Sequence, residues 1–247
     1  SSLVMTLAVP TYERKGFSEG KYTGDKLSHS IRYQLKTNRL HIGLTAAKDA
    51  GEPFFRGTNR KGWDFYTGFA RLKNTGIMKD LVIGHYQVSM GMGLVINNGY
   101  RLSRTSLLTT QPSSKTSLRG HTSKQESNYL QGVASTLELW RGNPTRDLSL
   151  TAFLSAKSLD ATISDTHPGA ISTIITNGYH RTVTETERRN ATSQTVAGGS
   201  LVYTSLPLRI GLNIVHTHLG DSLIPSKKQL YRRYYPEGKD FTDGSLS

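Results

Sequence analysis

Histidines are the residues best suited to acid–base or metal chemistry, and the chain's eight are scattered. His216 and His218 lie two apart at the end of an alternating segment, so both side chains point to one face. Such a pair binds a metal only with a third ligand, and the sequence shows none at a fitting spacing. His29 or His85 can be drawn together with any of many serines, but no spacing selects a nucleophile, a base and an orienting carboxylate. There is no P-loop, no G-x-G-x-x-G after a strand, no H-E-x-x-H and no G-x-S-x-G. The chain has no cysteine, which excludes disulfides and Cys-ligated metals. The sequence thus assigns no catalytic residue, no cofactor and no metal site.

Charge is a stronger signal. Lys and Arg number 31 against 18 Asp and Glu, a net charge of +13. Such a surplus favours anionic partners: nucleic acid, anionic lipid or lipopolysaccharide. Solvated loops with spare cations account for the same number without any partner. Arg32, Arg39, Lys157 and Arg209 stand out because they recur on the polar side of alternating segments. If these segments close into one sheet, the four line a basic lumen that favours anions. At strand ends they meet headgroups or solvent instead.

The elements that must position these residues are strands, because the dominant period is two. In 26–36, Leu27, His29, Ile31, Tyr33 and Leu35 alternate with Ser28, Ser30, Arg32, Gln34 and Lys36. In 39–48, Leu40, Ile42, Leu44 and Ala46 alternate with Arg39, His41, Gly43 and Thr45. Leu148, Leu150 and Leu154 repeat the pattern in 147–157, and Leu208, Ile210, Leu212 and Ile214 repeat it in 208–217. Weaker strands are expected over 1–9, 63–73, 77–88, 129–141 and 195–205, with one more beginning near Phe241. The glycine-rich 90–97 reads as a bent continuation of the strand before it. A short helix is expected from Thr182, where Thr and Glu precede Arg188 and Arg189.

The connections alternate. Thr37-Asn38, Asn74-Thr75-Gly76, 142–146 and Leu206-Pro207 are short, whereas 10–25, 49–62, 101–128, 158–194 and 218–240 are long and polar. An up-and-down sheet then has all short turns at one end and all long loops at the other, as outer-membrane barrels do. Soluble domains rarely carry several structureless loops of that length. Mean hydropathy of −0.44 does not oppose a barrel, since only alternate residues meet lipid. There is no apolar run near the 18 residues that a transmembrane helix needs. The N-terminus lacks the basic and apolar regions of a signal peptide.

The expected fold is therefore all-β: one antiparallel up-and-down transmembrane β-barrel domain over 1–247, of about ten strands, and part of a larger barrel. Leu27, Ile31, Leu35, Leu40, Ile42, Leu44, Leu148, Leu150, Leu154, Leu208, Ile210, Leu212 and Ile214 are its expected lipid-facing residues. Trp63, Phe65, Tyr66, Tyr86, Tyr100, Tyr129 and Tyr203, near loop ends, suit an aromatic girdle. The competing readings are a soluble or surface-attached β-sandwich that binds an anionic polymer, and a barrel hydrolase.

Four stretches carry a resemblance: AAKDAGEPFFRG (46–57), WDFYTGFARLKNTG (63–76), LVIGHYQVSMGMGLVINNGYRLS (81–103) and TNGYHRTVTETERRN (176–190). Together they resemble the β-barrel region that follows helix-hairpin-helix repeats in exported proteins of Bacteroidota. The family run G-D-Y-Q-V-x-F-G-Q-G-L is matched at Gly84, Tyr86, Gln87, Val88, Gly91, Gly93 and Leu94, while His85, Met90 and Met92 depart from it. The resemblance implies a bacterial outer-membrane location and a non-enzymatic channel, translocation component or scaffold. Membrane lipid, lipopolysaccharide and other envelope proteins are its implied partners. Nucleic-acid handling is implied only through helix-hairpin-helix repeats, which this chain does not show. The motifs carry no catalytic role. DAGEPFF (49–55) and GYHRT (178–182) lie in long loops that can fold into the barrel mouth, and loop packing is favoured there over ligand binding.

Overall fold

A computed structural model of the chain describes residues 1–57, 59–98, 116–141, 146–227 and 230–247. The expected turn at 142–146 falls outside them except for Arg146, as do Tyr100 and most of the loop expected over 101–128. Among the described residues the fold is all-β, one large and mostly antiparallel sheet of 14 strands. Ten long strands form its frame: β1 (Ser2–Ala8), β2 (Ser28–Lys36), β3 (Leu40–Lys48), β4 (Phe65–Thr75), β5 (Met78–Met90), β8 (Leu130–Arg141), β9 (Arg146–Leu159), β12 (Thr192–Ser205), β13 (Leu208–Leu223) and β14 (Gly238–Leu246). Each pairs antiparallel with the next, as the alternation of short and long connections requires. Among the described residues the α-helices are two single turns, α1 (Lys15–Ser18) and α2 (Val183–Glu187), the second where the sequence placed one, capped by Thr182 and Glu185.

Four shorter strands correct the reading of the long loops as structureless. These are β6 (Ile96–Asn97), β7 (Ser117–Gly120), β10 (Ala161–Ile163) and β11 (Ala170–Ile174). β6 and β7 pair with the end of β5, and β11 pairs parallel with β13. Residues 90–97 do not continue β5. A 3₁₀ turn at Gly91–Gly93 reverses the chain, and β6 runs back beside β5. Gly91 and Gly93 both have positive φ, which the reversal needs and a strand does not.

The sheet has a packed face and a bare face. On the packed face Phe69, Val82, Tyr86, Val88, Met90, Leu118, Leu130, Ala134, Phe153, Val196 and Val215 form one core. These residues come from β4 round to β13, so the sheet must curl. The hydroxyls of Thr116, beside β7, and Ser200, on β12, are 2.7 Å apart. In a flat sheet β5 and β12, three strand spacings apart, would be separated by about 14 Å. The sheet is not closed: β1 and β14 each leave an edge unpaired.

The run from Gly84 to Met90 supplies Tyr86, Val88 and Met90 to this core. Tyr86 is fully buried, and its hydroxyl donates to the Leu154 carbonyl at 2.8 Å. Gln87 donates to the Asn128 carbonyl at 3.0 Å. Gly84 has φ +100, and a Cβ there would lie 2.3 Å from the Gly68 carbonyl oxygen, so only glycine lets β4 and β5 meet.

Candidate functional site

The expected site residues separate by face. Arg32 pairs with Thr45, whose side chain is buried, and so lies on the packed face. Arg209 shares that face with buried Asn213. Lys157 does too, but its ammonium is held by the carbonyls of Ser127 (3.2 Å) and Tyr129 (2.8 Å). Arg39 is a correction: it lies outside the strands, exposed in the turn between β2 and β3, because the two-residue turn expected at Thr37-Asn38 extends through it. The apolar candidates, Leu27 just before β2 aside, fall on strand positions of the bare face. Their register joins Leu35 to Ile42, Leu150 to Leu201 and Leu201 to Leu212. Leu44, Leu154, Leu208, Leu212 and Ile214 are each more than half exposed there.

The aromatic residues divide in the same way. Phe65 and Tyr86 are buried in the packed face, not at an interface. Tyr129 packs beside His85 and His121. Tyr203 lies at the short-turn end, three residues before Leu206-Pro207, rather than near a loop. Tyr66 is on the bare face at the loop end, and its hydroxyl donates to the Lys61 carbonyl at 2.6 Å. Trp63 Nε1 donates to His29 Nδ1 at 2.9 Å, and His85 Nδ1 contacts the backbone of Gly68; among the described residues neither histidine shows a hydrogen bond to a serine. His216 and His218 share the bare face as expected, and the partner missing from the sequence reading is Asp240, across the ladder on β14. One oxygen of Asp240 lies 2.7 Å from His218 and 3.5 Å from His216.

The most specific arrangement is one the sequence did not assign. At the long-loop end, segments far apart in the chain converge on His180. Its Nδ1 donates to Asp64 at 2.6 Å and its Nε2 to Asp160 at 3.0 Å. A ring that donates at both nitrogens is an imidazolium. Burial alone would lower its pKa, but the hydrogen bonds to Asp160 and Asp64 carry it up to about 10. Asp64 also accepts from Arg189 Nη1 at 2.7 Å, and the Asp64 carbonyl accepts from Nη2 at 2.8 Å. Asp160 takes a further bond from the Asn190 amide at 2.9 Å.

Two more carboxyls face this cluster. Glu52 is fully buried and accepts from the amides of His180 (3.1 Å) and Asp49 (2.8 Å). Burial, with Asp64 nearby, pushes its pKa up to about 7. Burial pushes Glu126 up to about 9. Neither forms a salt bridge among the described residues. With both protonated, two cations (His180, Arg189) face two anions (Asp64, Asp160). Below about pH 7, where Glu52 keeps its proton, the network is neutral as a whole, which is how a buried ionic cluster becomes tolerable.

Backbone contacts extend the tie. The Thr23 amide donates to the Arg181 carbonyl, and Gly24 and Gly51 bond across 24–51 and 25–51. A Cβ on Gly24 would lie 1.8 Å from the Glu52 carbonyl oxygen, so this approach requires glycine. The Arg181 guanidinium stacks on Tyr179 (3.9 Å) and Tyr22 (5.1 Å). A cavity of about 330 Å³ lies beside the network, walled by Asp64, Glu126, Lys157 and Asp160 among others.

Glu52, Asp64 and His180 offer ligand atoms within 4.8 Å of one another. All are already engaged: both ring nitrogens of His180 hold protons and Asp64 binds Arg189. A cation would have to displace a proton and compete with a guanidinium, so the arrangement works as a tie among loops and not as an open metal centre. The sequence signal for it was indirect. Glu52, Asp64, His180 and Arg189 fall in the separate stretches 46–57, 63–76 and 176–190, and nothing local links them.

No family model matches the chain, and neither a curated protein nor a solved structure matches it.

Proposed function

We propose that this protein is an outer-membrane β-barrel-type protein of a bacterial envelope, non-enzymatic, acting as a scaffold or gated translocation component. One observation carries the reading. On consecutive strands the Leu and Ile side chains point away from the core, while the face they leave holds the packed core, the ion network and polar cavities. A water-soluble sheet hides such a face, because large contiguous apolar patches are costly in water. A lipid-facing sheet displays it.

Supporting details agree. Tyr66 and Trp140 are exposed at opposite ends of the apolar band, where interfacial aromatics sit in barrels. On β13 the band stops at Ile214 and gives way to His216 and His218. The long strands run up to 16 residues, more than enough to cross a bilayer at a tilt. In lipid the edges of β1 and β14 have to be paired, with each other or with further strands. The tied loops at one end favour a scaffold or gated component over an open pore. Channel activity, envelope partners and lipopolysaccharide contact belong to the same reading.

Expression with an export leader, followed by membrane fractionation, tests it. The protein is expected in the outer-membrane fraction and soluble only in detergent. Recovery as a soluble monomer without detergent overturns it.

A further inference from the structure

The packed face holds a second cavity towards the short turns, of about 870 Å³. Two of its acidic groups are already neutralised. Arg71 grips Asp80, and Lys79 Nζ lies 3.1 Å from Glu138. Among the described residues of the wall, Arg119, Arg146 and Arg209 remain against Asp147, three cations less one anion, a surplus of +2. Among the described residues none of these three arginines forms a salt bridge.

Their placement is built by the fold. Asp147, Thr204 and Arg209 stand in one row across β9, β12 and β13, while Arg119 comes from β7, held by β5. The Nε of Arg209 is wholly buried and has no hydrogen-bond partner. Buried donors are almost always satisfied, because desolvating one without an acceptor is costly. An acceptor that carries negative charge would satisfy both the Nε and the surplus.

We propose that this cavity binds a soluble phosphate-class oxyanion, inorganic phosphate or a phosphomonoester, held by Arg209 and Arg119 with Arg146 beside them. A phosphomonoester carries about −1.5 to −2 at neutral pH, which matches the surplus. The guanidinium fork suits tetrahedral and planar oxyanions better than an ammonium does. Thr204 and Ser149, on the same wall, supply hydroxyl donors. The cavity lies on the face opposite the exposed Leu and Ile side chains, so a phosphate on a lipid headgroup does not reach it while its acyl chains lie on the bare face. The inference stands on this cavity and not on where the sheet resides.

Calorimetric titration of the detergent-solubilised full chain with inorganic phosphate tests it, with chloride at matched ionic strength as the reference. Saturable binding of phosphate over chloride is expected. R209Q and R119Q are each expected to weaken it about tenfold, the scale of one charge-assisted hydrogen bond. Lys36→Gln, at an exposed strand end, leaves it unchanged. R119Q alters an exposed side chain on a short strand, so it carries the test even if R209Q fails to fold. Equal response to chloride, or wild-type affinity in R119Q and in folded R209Q, overturns the proposal. Displacement of bound phosphate by phosphate-bearing lipid in the same micelles overturns the assignment to a soluble ligand.

Discussion

The two ends of the packed face treat charge in opposite ways. At the long-loop end, Asp64, Asp160, His180 and Arg189 are matched one for one, and Asp64 and His180 are almost fully buried. At the short-turn end, arginines outnumber the acids left to pair with them, and they border open space. The first arrangement restricts motion, since any displaced loop leaves a buried charge alone. The second leaves room and unmatched charge for something that is not part of the chain. Burial separates them: a charge deprived of water needs a partner in the protein, whereas one that borders a cavity can wait for a ligand.

The largest effect is expected where the match is broken. Asp64→Ala strands both His180 and Arg189 and should cost about 3–5 kcal/mol in urea unfolding from detergent. Asp80→Ala removes a paired acid at the other end. Because the released Arg71 borders the cavity and its water, the loss there should be clearly smaller. Equal losses would break the contrast between the ends.

A charge on the bare face between the ends comes next. Leu212→Arg, inside the apolar band of β13, should lower stability in lipid vesicles by about 2–4 kcal/mol, the cost of a charge near the bilayer midplane. A change within about 0.5 kcal/mol, as for ordinary surface positions, would place that face outside lipid.

Proton linkage sharpens the contrast further. Glu52 and Glu126, with ordinary values of 4.5, hold their protons up to about 7 and about 9 in the folded chain. His180, ordinarily 6.5, holds its proton to about 10. In each case the folded state binds the proton more tightly than the unfolded one, so stability falls as pH rises between the two values. The combined contribution of these three groups declines from about pH 4.5 to about pH 10 and is constant above it. On the acid side, Asp160 is held below its ordinary 3.8, so its contribution disappears only as pH falls through that lower value. Limited proteolysis across this range should cut the loops near 49–64 and 176–190 faster at pH 10 than at pH 6. The same cleavage rate at both pH values would remove the network from any role in holding the loops.

Smaller effects test the parts in isolation. Tyr86→Phe keeps the core volume but leaves the Leu154 carbonyl short of a donor, at a cost of about 1 kcal/mol in thermal unfolding. Lys79→Ala loses a half-exposed pair with Glu138 and should cost less than about 1 kcal/mol. A larger loss there would show the short-turn end to be as tightly coupled as the loop end.

Much of the frame was legible in the sequence. The strand pattern located eight of the ten long strands to within a few residues; β13 runs on through 218–223, read as loop, and β14 was visible only from Phe241 onward. Alternation at period two separated Leu208, Ile210, Leu212 and Ile214 from Arg209 and Asn213. The short turns fixed which strands are neighbours. These are local properties, since a strand's faces follow from its own backbone and a two-residue turn joins what it separates. Errors arose where locality ended. Residues 90–97 look like a strand but turn back on β5. Phe65 and Tyr86 look interfacial but are core. Tyr203, read as near a loop, lies by a short turn.

What the sequence determined by itself is the all-β class, the order of the long strands and which side chains share a face. The tertiary structure alone decided that the sheet curls yet stays open, that β7 enters its packed face, and that His180 meets both Asp64 and Glu52. His180 and Glu52 are 128 residues apart. No periodicity extends over such a distance. The contact exists only because ladders of paired strands carry the ends of β3, β4, β9 and β12 to the same end of one curled sheet, where buried charges have no alternative but each other.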